Sequence, residues 1–375
     1  MKIVYTILGT FNSGGMERVL SNKANYLVRL GHEVTIITTD QKGRPSFYDL
    51  HPDIKCIDLG INYTEDLDKG LLFRIMSFFF KQKKHRRLLE SHLKSLRADI
   101  VVSMFDNDVG FVPKIKDGSK KVVEIHFSRF KRLQYGRKGL MGWIDKVRSG
   151  RDLKIVKRYD RFVVLTEEDK NYWGALDNIV VIPNANSFES DEKSSLMHKQ
   201  VIAVGRYDYQ KGFDDLIHIW KRVISEAPGW KLKIYGHGPL KEVFEALIDG
   251  LGLQESIELA APVRNIKEAY LNSSILVMTS RYEGLPMVLL ESQVCGVPMV
   301  SYMCKCGPKD VIKDGQNGFL VEEGNQDQFA DKLLLLMKDD VLRKRMGLAA
   351  IDNSKNYGEE KIMQRWISLF EGLMN

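Results

Sequence analysis

Two glutamates, Glu283 and Glu291, are the residues of this 375-residue sequence that are best placed for chemistry. Pro286 lies between them and suits the first position of a helix, because its φ angle is preset and it has no N–H to satisfy. The helix is apolar around Glu291, and a carboxylate there is costly unless a ligand or partner satisfies it. We therefore predict that Glu291 accepts hydrogen bonds from ribose hydroxyls. Glu283 is predicted to bind sugar hydroxyls together with the N–H groups of Gly284 and Leu285. The alternative is a capping Glu283 and a salt-bridged Glu291.

A glycine-bounded loop carries two cations five residues apart, Arg206 and Lys211. The loop follows a predicted strand. Two such charges can hold both phosphates of a diphosphate and stabilise the negative charge of a departing nucleoside diphosphate. The alternative is an arginine and a lysine in a solvated surface loop.

Three further segments follow predicted strands. Gly14 and Gly15 open a helix, and its free N–H groups together with the bare glycine backbone can approach a phosphate or a sugar. Gly236 lies in a glycine-rich turn that suits close packing of a nucleoside against backbone. His126 ends a predicted strand and is a candidate for sugar contact, although a lone histidine is more often a structural residue.

Short apolar runs rich in β-branched residues alternate with helix-period runs along most of the chain, which predicts parallel sheets buried on both faces. A polar stretch at 187–200 divides this alternation into an N-terminal domain, 1–186, and a C-terminal domain, 187–358. We therefore predict an α/β protein with two Rossmann-like, doubly wound domains. Ligands bind beyond the carboxyl ends of strands in such sheets, so the candidate loops are expected to face a cleft. The predicted strands are 2–8, 33–38, 54–59, 99–105, 121–127, 161–165, 179–183, 201–204, 231–235, 256–259, 275–279 and 299–302.

The positive charge of the chain, a net +7, is concentrated in two segments, 69–97 and 127–162. Both segments also carry aromatic and aliphatic residues. Such a mixture is typical of a helix that lies in the interface of an anionic membrane. The alternative is a helix with a core-facing apolar side and a solvated basic back. No nucleic-acid-binding motif accompanies the charge, so nucleic acid is not an expected partner.

Neither a signal-peptide pattern nor a run of roughly 18 apolar residues occurs, so we expect a cytoplasmic protein that binds peripherally to the inner face of the membrane. The four cysteines have no metal-ligand spacing and are expected to be free thiols.

The spaced pair Glu283 and Glu291, with Arg206, Lys211 and the glycine turn at 14–15, resembles the retaining glycosyltransferases of family 4, which have the GT-B fold. The resemblance covers nearly the whole chain. The segments 103–106, 181–184, 235–238 and 314–320 and the histidine at 126 add to it. It extends to enzymes that build capsule, O-antigen or lipid-linked oligosaccharides from UDP-sugars. The function implied is transfer of a sugar from a nucleotide-sugar donor to a hydroxyl of a lipid-linked or other saccharide acceptor.

The resemblance also implies roles for individual residues. Glu291 binds the donor ribose, Arg206 and Lys211 hold the diphosphate, and Glu283 with the 284–286 backbone holds the sugar. His126 lies near the primary hydroxyl of that sugar. Binding positions implied elsewhere are Gly14, Gly15, Gly236, Pro286, Val263, whose backbone lies beside the base, and Asn184. Pro262 stands where the family often has glycine, which weakens the base contact. The last helix, 359–375, is expected to pack back on the N-terminal domain.

The family reaction needs no metal, and no cofactor is expected. The Asp106-x-Asp108 pair has the letters of a metal motif but does not lie in a suitable loop. Two rival functions remain open at this point: a nucleotide-sugar epimerase of related shape, which would convert the donor without an acceptor, and a non-catalytic glycan-binding protein at the membrane, which would bind no donor.

Overall fold

The computed structural model describes residues 1–66, 68–129, 131 and 139–375. The chain forms two compact units, one of Met1–Pro183 with Ile362–Asn375 and one of Asn184–Lys361. The first change of unit therefore falls after residue 183 rather than 186. Most of the last helix belongs with the N-terminal unit.

The N-terminal unit contains a parallel sheet whose described strands run in the order β3-β2-β1-β4-β5-β6-β7. The strands are β1 Lys2–Ile7, β2 Glu33–Thr38, β3 Lys55–Asp58, β4 Ile100–Ser103, β5 Lys120–Glu124, β6 Arg161–Val164 and β7 Ile179–Val181. Its described helices are α1 Gly15–Arg29, α2 Leu71–Leu96, α3 Gly139–Val156 and α4 Glu167–Trp173. The order reverses between β1 and β4, which is where ligands bind in doubly wound sheets.

The C-terminal unit repeats this plan with the order β10-β9-β8-β11-β12-β13, again all parallel. The strands are β8 Gln200–Val204, β9 Lys231–Tyr235, β10 Ile257–Ala260, β11 Ile275–Met278, β12 Met299–Tyr302 and β13 Gly318–Val321. The helices are α5 Phe213–Glu226, α6 Lys241–Leu251, α7 Ile266–Leu271, α8 Met287–Val294, α9 Pro308–Val311, α10 Gln326–Lys338, α11 Asp340–Ser354 and, returning to the N-terminal unit, α12 Glu359–Met374. Here the order reverses between β8 and β11.

Each unit has its own apolar core, which explains why two sheets form rather than one. In the C-terminal unit Trp220 of α5 and Phe329 of α10 are fully buried against the sheet. In the N-terminal unit Phe162 of β6 packs edge-on against Trp173 of α4, with ring centroids 4.8 Å apart. The predicted doubly wound, parallel architecture is confirmed.

Three local predictions were wrong. Strand β13 was not anticipated. Pro286 is the residue before α8 rather than its first helical residue, although its φ of −72° still suits the helix start. β5 ends at Glu124, so His126 lies two residues beyond the strand instead of ending it.

Candidate functional site

In the C-terminal unit the charged candidates Arg206, Lys211 and Glu283 lie on the segments that follow β8 and β11, the two neighbouring strands at which the sheet order reverses. The chain after β8 carries Arg206 and Lys211, and the chain after β11 carries Glu283. The position of these loops follows from the parallel order, because the carboxyl ends of parallel strands meet at one edge.

The ammonium of Lys211 donates to the carboxylate of Glu283, with Nζ 2.7 Å from Oε1. Both side chains are nearly buried, at 14% and 8% exposure. Gln210 lies beside them and donates to the backbone carbonyl of Tyr282 at 2.9 Å. The predicted phosphate-binding cation and the predicted sugar-binding carboxylate are thus partners of each other in this structure.

Backbone contacts fix Lys211 at this place. Gly212 has a φ of 61°, and a side chain there would overlap the carbonyl oxygen of Thr279. The hydroxyl of Thr279 donates to the carbonyls of Lys211 and Gly212, at 3.1 and 2.9 Å. Gly205 leaves room for the aliphatic stem of Lys211, which a Cβ would meet at 2.9 Å. Sequence reasoning missed Thr279, although its place directly after β11 marks it as a loop-facing residue.

Arg206 is held differently from Lys211. Its side chain is 60% exposed and forms a salt bridge with Asp208, with Nη2 3.1 Å from Oδ2. Nη2 also donates to Gln210 at 3.2 Å. An exposed pair of this kind contributes little to stability, so Arg206 can exchange Asp208 for an anionic ligand at low cost.

Glu291 is buried in α8, at 5% exposure, and accepts hydrogen bonds from two hydroxyl groups. Ser187 Oγ is 2.7 Å from Oε1, and the Tyr270 hydroxyl is 2.9 Å from Oε2. These hydroxyl contacts offset part of the cost of burying the carboxylate. Neither Ser187 nor Tyr270 was anticipated, because both are distant from Glu291 in sequence.

The loop that contains Gly284, Leu285 and Pro286 is buried, and it rests on Gly307. Gly307 has a φ of 94°, and a Cβ there would overlap Pro286 and approach the Gly284 carbonyl. Within the described residues, the N–H groups of Gly284 and Leu285 donate to no other group of the chain.

Gly236 follows β9 and packs so closely on the loop after β8 that a Cβ would overlap the carbonyl of Gly205. Tyr207, which was not anticipated, joins the loop after β8 to strands β9 and β10, because its hydroxyl donates to the carbonyls of Ile234 and Ala260 at 2.8 and 3.0 Å. Val263 lies beyond β10 and is 40% exposed.

In the N-terminal unit Gly14 precedes α1 and Gly15 is its first, exposed residue. Gly14 makes no side-chain cap, and its carbonyl accepts the first helical bond from the Arg18 N–H at 3.1 Å. Asn184, the first residue of the C-terminal unit, is 4% exposed, and its Oδ1 has no hydrogen-bond partner among the described residues.

His126 lies beside a buried ion pair that sequence reasoning missed. Its Nε2 is 3.1 Å from Oε1 of Glu124, and the other carboxylate oxygen of Glu124 accepts from Lys23 of α1. Burial raises the pKa of Glu124, but the charge of Lys23 and the nearby imidazole outweigh it and hold that pKa at about 2. Trp366 of α12 covers the ammonium, with the Lys23 Nζ 4.1 Å from the ring centroid.

Asp106 and Asp108 lie in the turn that follows β4, and they differ in burial. Asp108 is 1% exposed and accepts from the hydroxyls of Thr6 and Ser103. Burial raises the pKa of Asp108 to about 7, although those hydrogen bonds oppose the shift. Among the described residues no cluster of three or more histidine, cysteine or acidic groups is arranged to hold a metal ion.

The first basic segment, 69–97, contains helix α2, and its two halves differ. Leu89 and Leu93 in the second half are fully buried in the core. The first half exposes Phe73, Met76 and Phe80, at 55%, 61% and 68%. These positions recur at helical spacing and form one face, so the alternative of a core-facing helix holds only for the second half.

The second basic segment, 127–162, lies partly outside the described residues, including Phe130 and Tyr135. In helix α3 Trp143 is 62% exposed and Val147 is 51% exposed. None of the described helices combines the length and apolar character that a membrane span requires.

Two family models match this chain, and their boundary lies close to the boundary between the two units. A model of Glycosyltransferase Family 4 matches residues 13–186, and a model of Glycosyl transferases group 1 matches residues 186–352. The Amylovoran biosynthesis glycosyltransferase AmsD of Erwinia amylovora is 31% identical over 385 residues, which cover 97% of this chain and 98% of the relative.

A Campylobacter jejuni relative is 29% identical over 395 residues, covering 100% of this chain and 99% of its own. Its name is GalNAc-alpha-(1->4)-GalNAc-alpha-(1->3)-diNAcBac-PP-undecaprenol alpha-1,4-N-acetyl-D-galactosaminyltransferase. Among solved structures, S. aureus TarM in complex with Fondaparinux, alpha-GlcNAc-glycerol and UDP superposes with a TM-score of 0.79 at 19% identity, over 98% of this chain and 99% of that one. The chain belongs to glycosyltransferase family 4 and has the GT-B fold.

Proposed function

We propose that this glycosyltransferase moves a sugar from a UDP-sugar to a hydroxyl of a lipid-linked saccharide, with retention of the anomeric configuration and without a metal. The observation that carries the proposal is the Lys211–Glu283 pair on the loops after β8 and β11, with Arg206 exposed nearby in sequence and Glu291 buried among hydroxyl donors. Bacterial polysaccharide or lipid-linked glycan synthesis is the process we infer from the names of the relatives.

In this proposal Arg206 and Lys211 bind the diphosphate, and Glu291 accepts from the ribose hydroxyls. When a donor binds, its diphosphate replaces the Glu283 carboxylate as the partner of Lys211, and Glu283 then accepts from hydroxyls of the sugar. The free N–H groups of Gly284 and Leu285 add two donors at the same loop. His126 and the backbone of Gly15 are the contributions we assign to the N-terminal unit.

The transfer step is attack of the acceptor hydroxyl on the donor face from which the phosphate leaves. The bond between the anomeric carbon and the phosphate oxygen breaks, and its electron pair stays on that oxygen. The acceptor oxygen bonds to the same face of the carbon, and its proton goes to the leaving phosphate. Arg206 and Lys211 stabilise the charge that develops on the diphosphate, which is why no metal is needed.

Three observations on relatives support the donor and the acceptor. The solved structure of TarM contains UDP. The name of the Campylobacter jejuni relative includes a saccharide on PP-undecaprenol, and that of AmsD includes amylovoran biosynthesis. A lipid-linked acceptor is also consistent with the exposed aromatic face of α2.

Donor binding is tested by thermal unfolding with a panel of nucleotide sugars, since a ligand that binds the native state raises Tm. The UDP-sugar that stabilises the protein is then incubated with lipid-linked saccharides, and NMR of the product gives the anomeric configuration. We expect retention, and activity that is unchanged by a chelator. An inverted product, or chelator-sensitive activity restored by Mg²⁺, would contradict the mechanism. Conversion of the donor without an acceptor would favour the epimerase, and binding of no nucleotide sugar would favour the glycan-binding protein.

We further propose that the exposed face of α2 binds an anionic membrane surface, which places the enzyme on the cytoplasmic face of the membrane. Phe79 and Phe80 are 64% and 68% exposed, and the same helix carries Lys83, Lys84 and Arg86. Aromatic residues beside cations suit the boundary between head groups and acyl chains.

Sedimentation with vesicles tests this surface. Wild-type protein is expected to bind vesicles containing phosphatidylglycerol and to bind phosphatidylcholine vesicles weakly. Phe79→Ser with Phe80→Ser should reduce binding at least about tenfold, because each buried side chain contributes about 1.5–3 kcal/mol. The matched control is Val341→Ser with Leu348→Ser, two exposed apolar residues of the C-terminal unit. Equal vesicle binding by both double variants would contradict the proposal that α2 binds the membrane surface.

A further inference from the structure

The N-terminal unit buries three charged or titratable side chains in one row, Lys23, Glu124 and His126. Their side chains are 5%, 1% and 7% exposed. The two oxygens of Glu124 have different neighbours: Oε2 accepts from the Lys23 ammonium, and Oε1 lies 3.1 Å from His126 Nε2, a buried nitrogen that has no aligned hydrogen bond to any described residue. The carboxylate therefore connects helix α1 to the histidine beyond β5.

Stability alone is a weak reason for this arrangement. A buried ion pair contributes little compared with apolar residues of similar volume, because both charges must be desolvated. An ionised carboxylate next to a neutral imidazole can only accept a hydrogen bond, so it selects the nitrogen that carries the proton. Glu124 can therefore determine the tautomer of His126.

We propose that Glu124 is the positioning residue of His126. The negative charge of its carboxylate, 3.1 Å from Nε2, keeps the imidazole proton on that nitrogen, which leaves Nδ1 as a hydrogen-bond acceptor for a substrate hydroxyl. The use of Nδ1 by a substrate depends on the proposed function, whereas the tautomer does not. The same logic holds for histidines in other sites, where a carboxylate on one ring nitrogen fixes the role of the other.

Lys23 and Trp366 keep this carboxylate ionised away from water. Lys23 supplies the charge that holds the carboxylate in its ionised form, and its Nζ lies 4.1 Å from the Trp366 ring centroid and 5.7 Å from that of Tyr5. Trp366 is 1% exposed. A cation between two aromatic faces is stabilised when it is desolvated. Helix α12 therefore supports His126 indirectly. Trp366 stabilises Lys23, and Lys23 stabilises the carboxylate of Glu124 beside the imidazole.

The chain offers a matched control in the same sheet. Lys121, on the same strand β5, forms a buried ion pair with Asp117, at 6% and 0% exposure. This pair lies at the opposite end of β5 from His126. Asp117→Asn therefore removes the buried carboxylate charge that is paired with Lys121 of β5, without changing the carboxylate beside the histidine.

The first test is ¹⁵N NMR of the full chain labelled at histidine, at about pH 9, where an ordinary imidazole is neutral. The signal of His126 is identified by its loss in His126→Gln. We expect the Nε2–H tautomer in the wild type and in Asp117→Asn. In Glu124→Gln the amide oxygen must face Lys23, so its NH₂ group faces Nε2 and the tautomer should switch to Nδ1–H.

The double variant Lys23→Met with Glu124→Gln makes the test sharper. Without the ammonium, the amide oxygen is free to turn and accept from Nε2–H, so the wild-type tautomer should return. A wild-type histidine on the Nδ1–H tautomer, or a tautomer that is the same in all of these variants, would overturn the proposal.

Kinetics give the second readout. With donor and acceptor saturating, kcat should fall about 10- to 100-fold in Glu124→Gln, with little change in the KM for the donor. It should recover in part in the double variant, in step with the tautomer. If kcat instead follows Tm across the variants while the tautomer stays constant, the ion pair is only structural. If the tautomer switches as expected but His126→Ala retains full activity, the positioning stands and the role of His126 in the proposed function is wrong.

Discussion

Each unit of this protein has a lysine–glutamate pair at the carboxyl edge of its sheet, and the two pairs differ in access. Lys211 and Glu283 are 14% and 8% exposed and lie on loops, whereas Lys23 and Glu124 are 5% and 1% exposed and join a helix to a strand end. In the proposed function, the donor diphosphate takes the place of Glu283 in the first pair. The second pair lies in the core beneath Trp366. The same two residue types thus form a pair that we propose to be exchangeable in one unit and a permanent pair in the other.

The largest effect is expected on folding stability when the permanent pair is broken. Lys23→Met leaves the carboxyl group of Glu124 buried without its cation, whether it stays ionised or takes up a proton, and this should lower the free energy of unfolding by about 3–5 kcal/mol. Lys211→Met should cost less, about 1–3 kcal/mol, because Glu283 lies on a loop and is slightly more exposed than Glu124. Urea unfolding of both variants measures the difference. Equal decreases in the free energy of unfolding would contradict the distinction between the two pairs.

Turnover, in contrast to stability, should depend more strongly on the Lys211–Glu283 pair than on the Lys23–Glu124 pair. Lys211→Met is expected to lower kcat by about 10²–10³-fold, because a cation that stabilises the leaving diphosphate is lost. Arg206→Ala should also lower turnover strongly. Lys221→Ala, which removes an exposed lysine of α5, serves as the control and should leave kcat unchanged. Wild-type turnover by Lys211→Met or Arg206→Ala, with donor and acceptor both verified, would refute the role of that cation.

Asp108 shows what a buried carboxylate does without an adjacent lysine. Its folded pKa of about 7 lies above its ordinary value of 3.8, so the folded protein keeps a proton that the unfolded chain releases. The free energy of unfolding should therefore decrease by roughly 2–4 kcal/mol as pH rises from about 4 through 7. Glu124 has the opposite sign, because its pKa is lowered and its contribution is lost as pH falls from about 4.5 towards 2. Asp108→Asn should flatten the decrease between pH 4 and 7, and an unchanged slope would contradict this origin.

The smallest effect concerns the support of Glu291. Tyr270→Phe removes one hydroxyl donor to that carboxylate and should raise the KM for the donor about three- to tenfold with kcat little changed. Binding of UDP and of 2′-deoxy-UDP is the sharper readout, since a misaligned Glu291 should discriminate less between them. If the ratio of the two affinities is unaffected, Tyr270 only packs against α8.

Sequence patterns predicted the features that depend on local order. The alternation of strands and helices, the glycine turns and the Glu283–Glu291 spacing are contained in short segments, and the two sheets formed as expected. β13 was missed because Gly318–Val321 is a four-residue strand with a glycine at its start, which gives almost no periodic signal. The position of Pro286 was wrong by one residue, as helix boundaries often are.

The contacts that align the candidate site could not be predicted in this way. Lys23 and Glu124 are 101 residues apart, and Tyr270 and Glu291 are 21 apart. In the sequence Lys23 is one polar residue of an amphipathic helix, and only the packing of α1 on β5 shows that it is buried. The pairing of Lys211 with Glu283 likewise depends on β8 and β11 being neighbours in the sheet. Such partners follow from topology rather than from spacing.

The return of α12 to the N-terminal unit has a consequence for the order of events during synthesis. The strands and helices up to Pro183 leave the ribosome first, but Trp366 follows about 180 residues later. At about 5–20 residues per second this delay is roughly 10–40 s. During that time Lys23 has Glu124 and Tyr5 as neighbours but lacks the cover of Trp366. The unit whose strands are made first is therefore completed only after the strands of the other unit have been made.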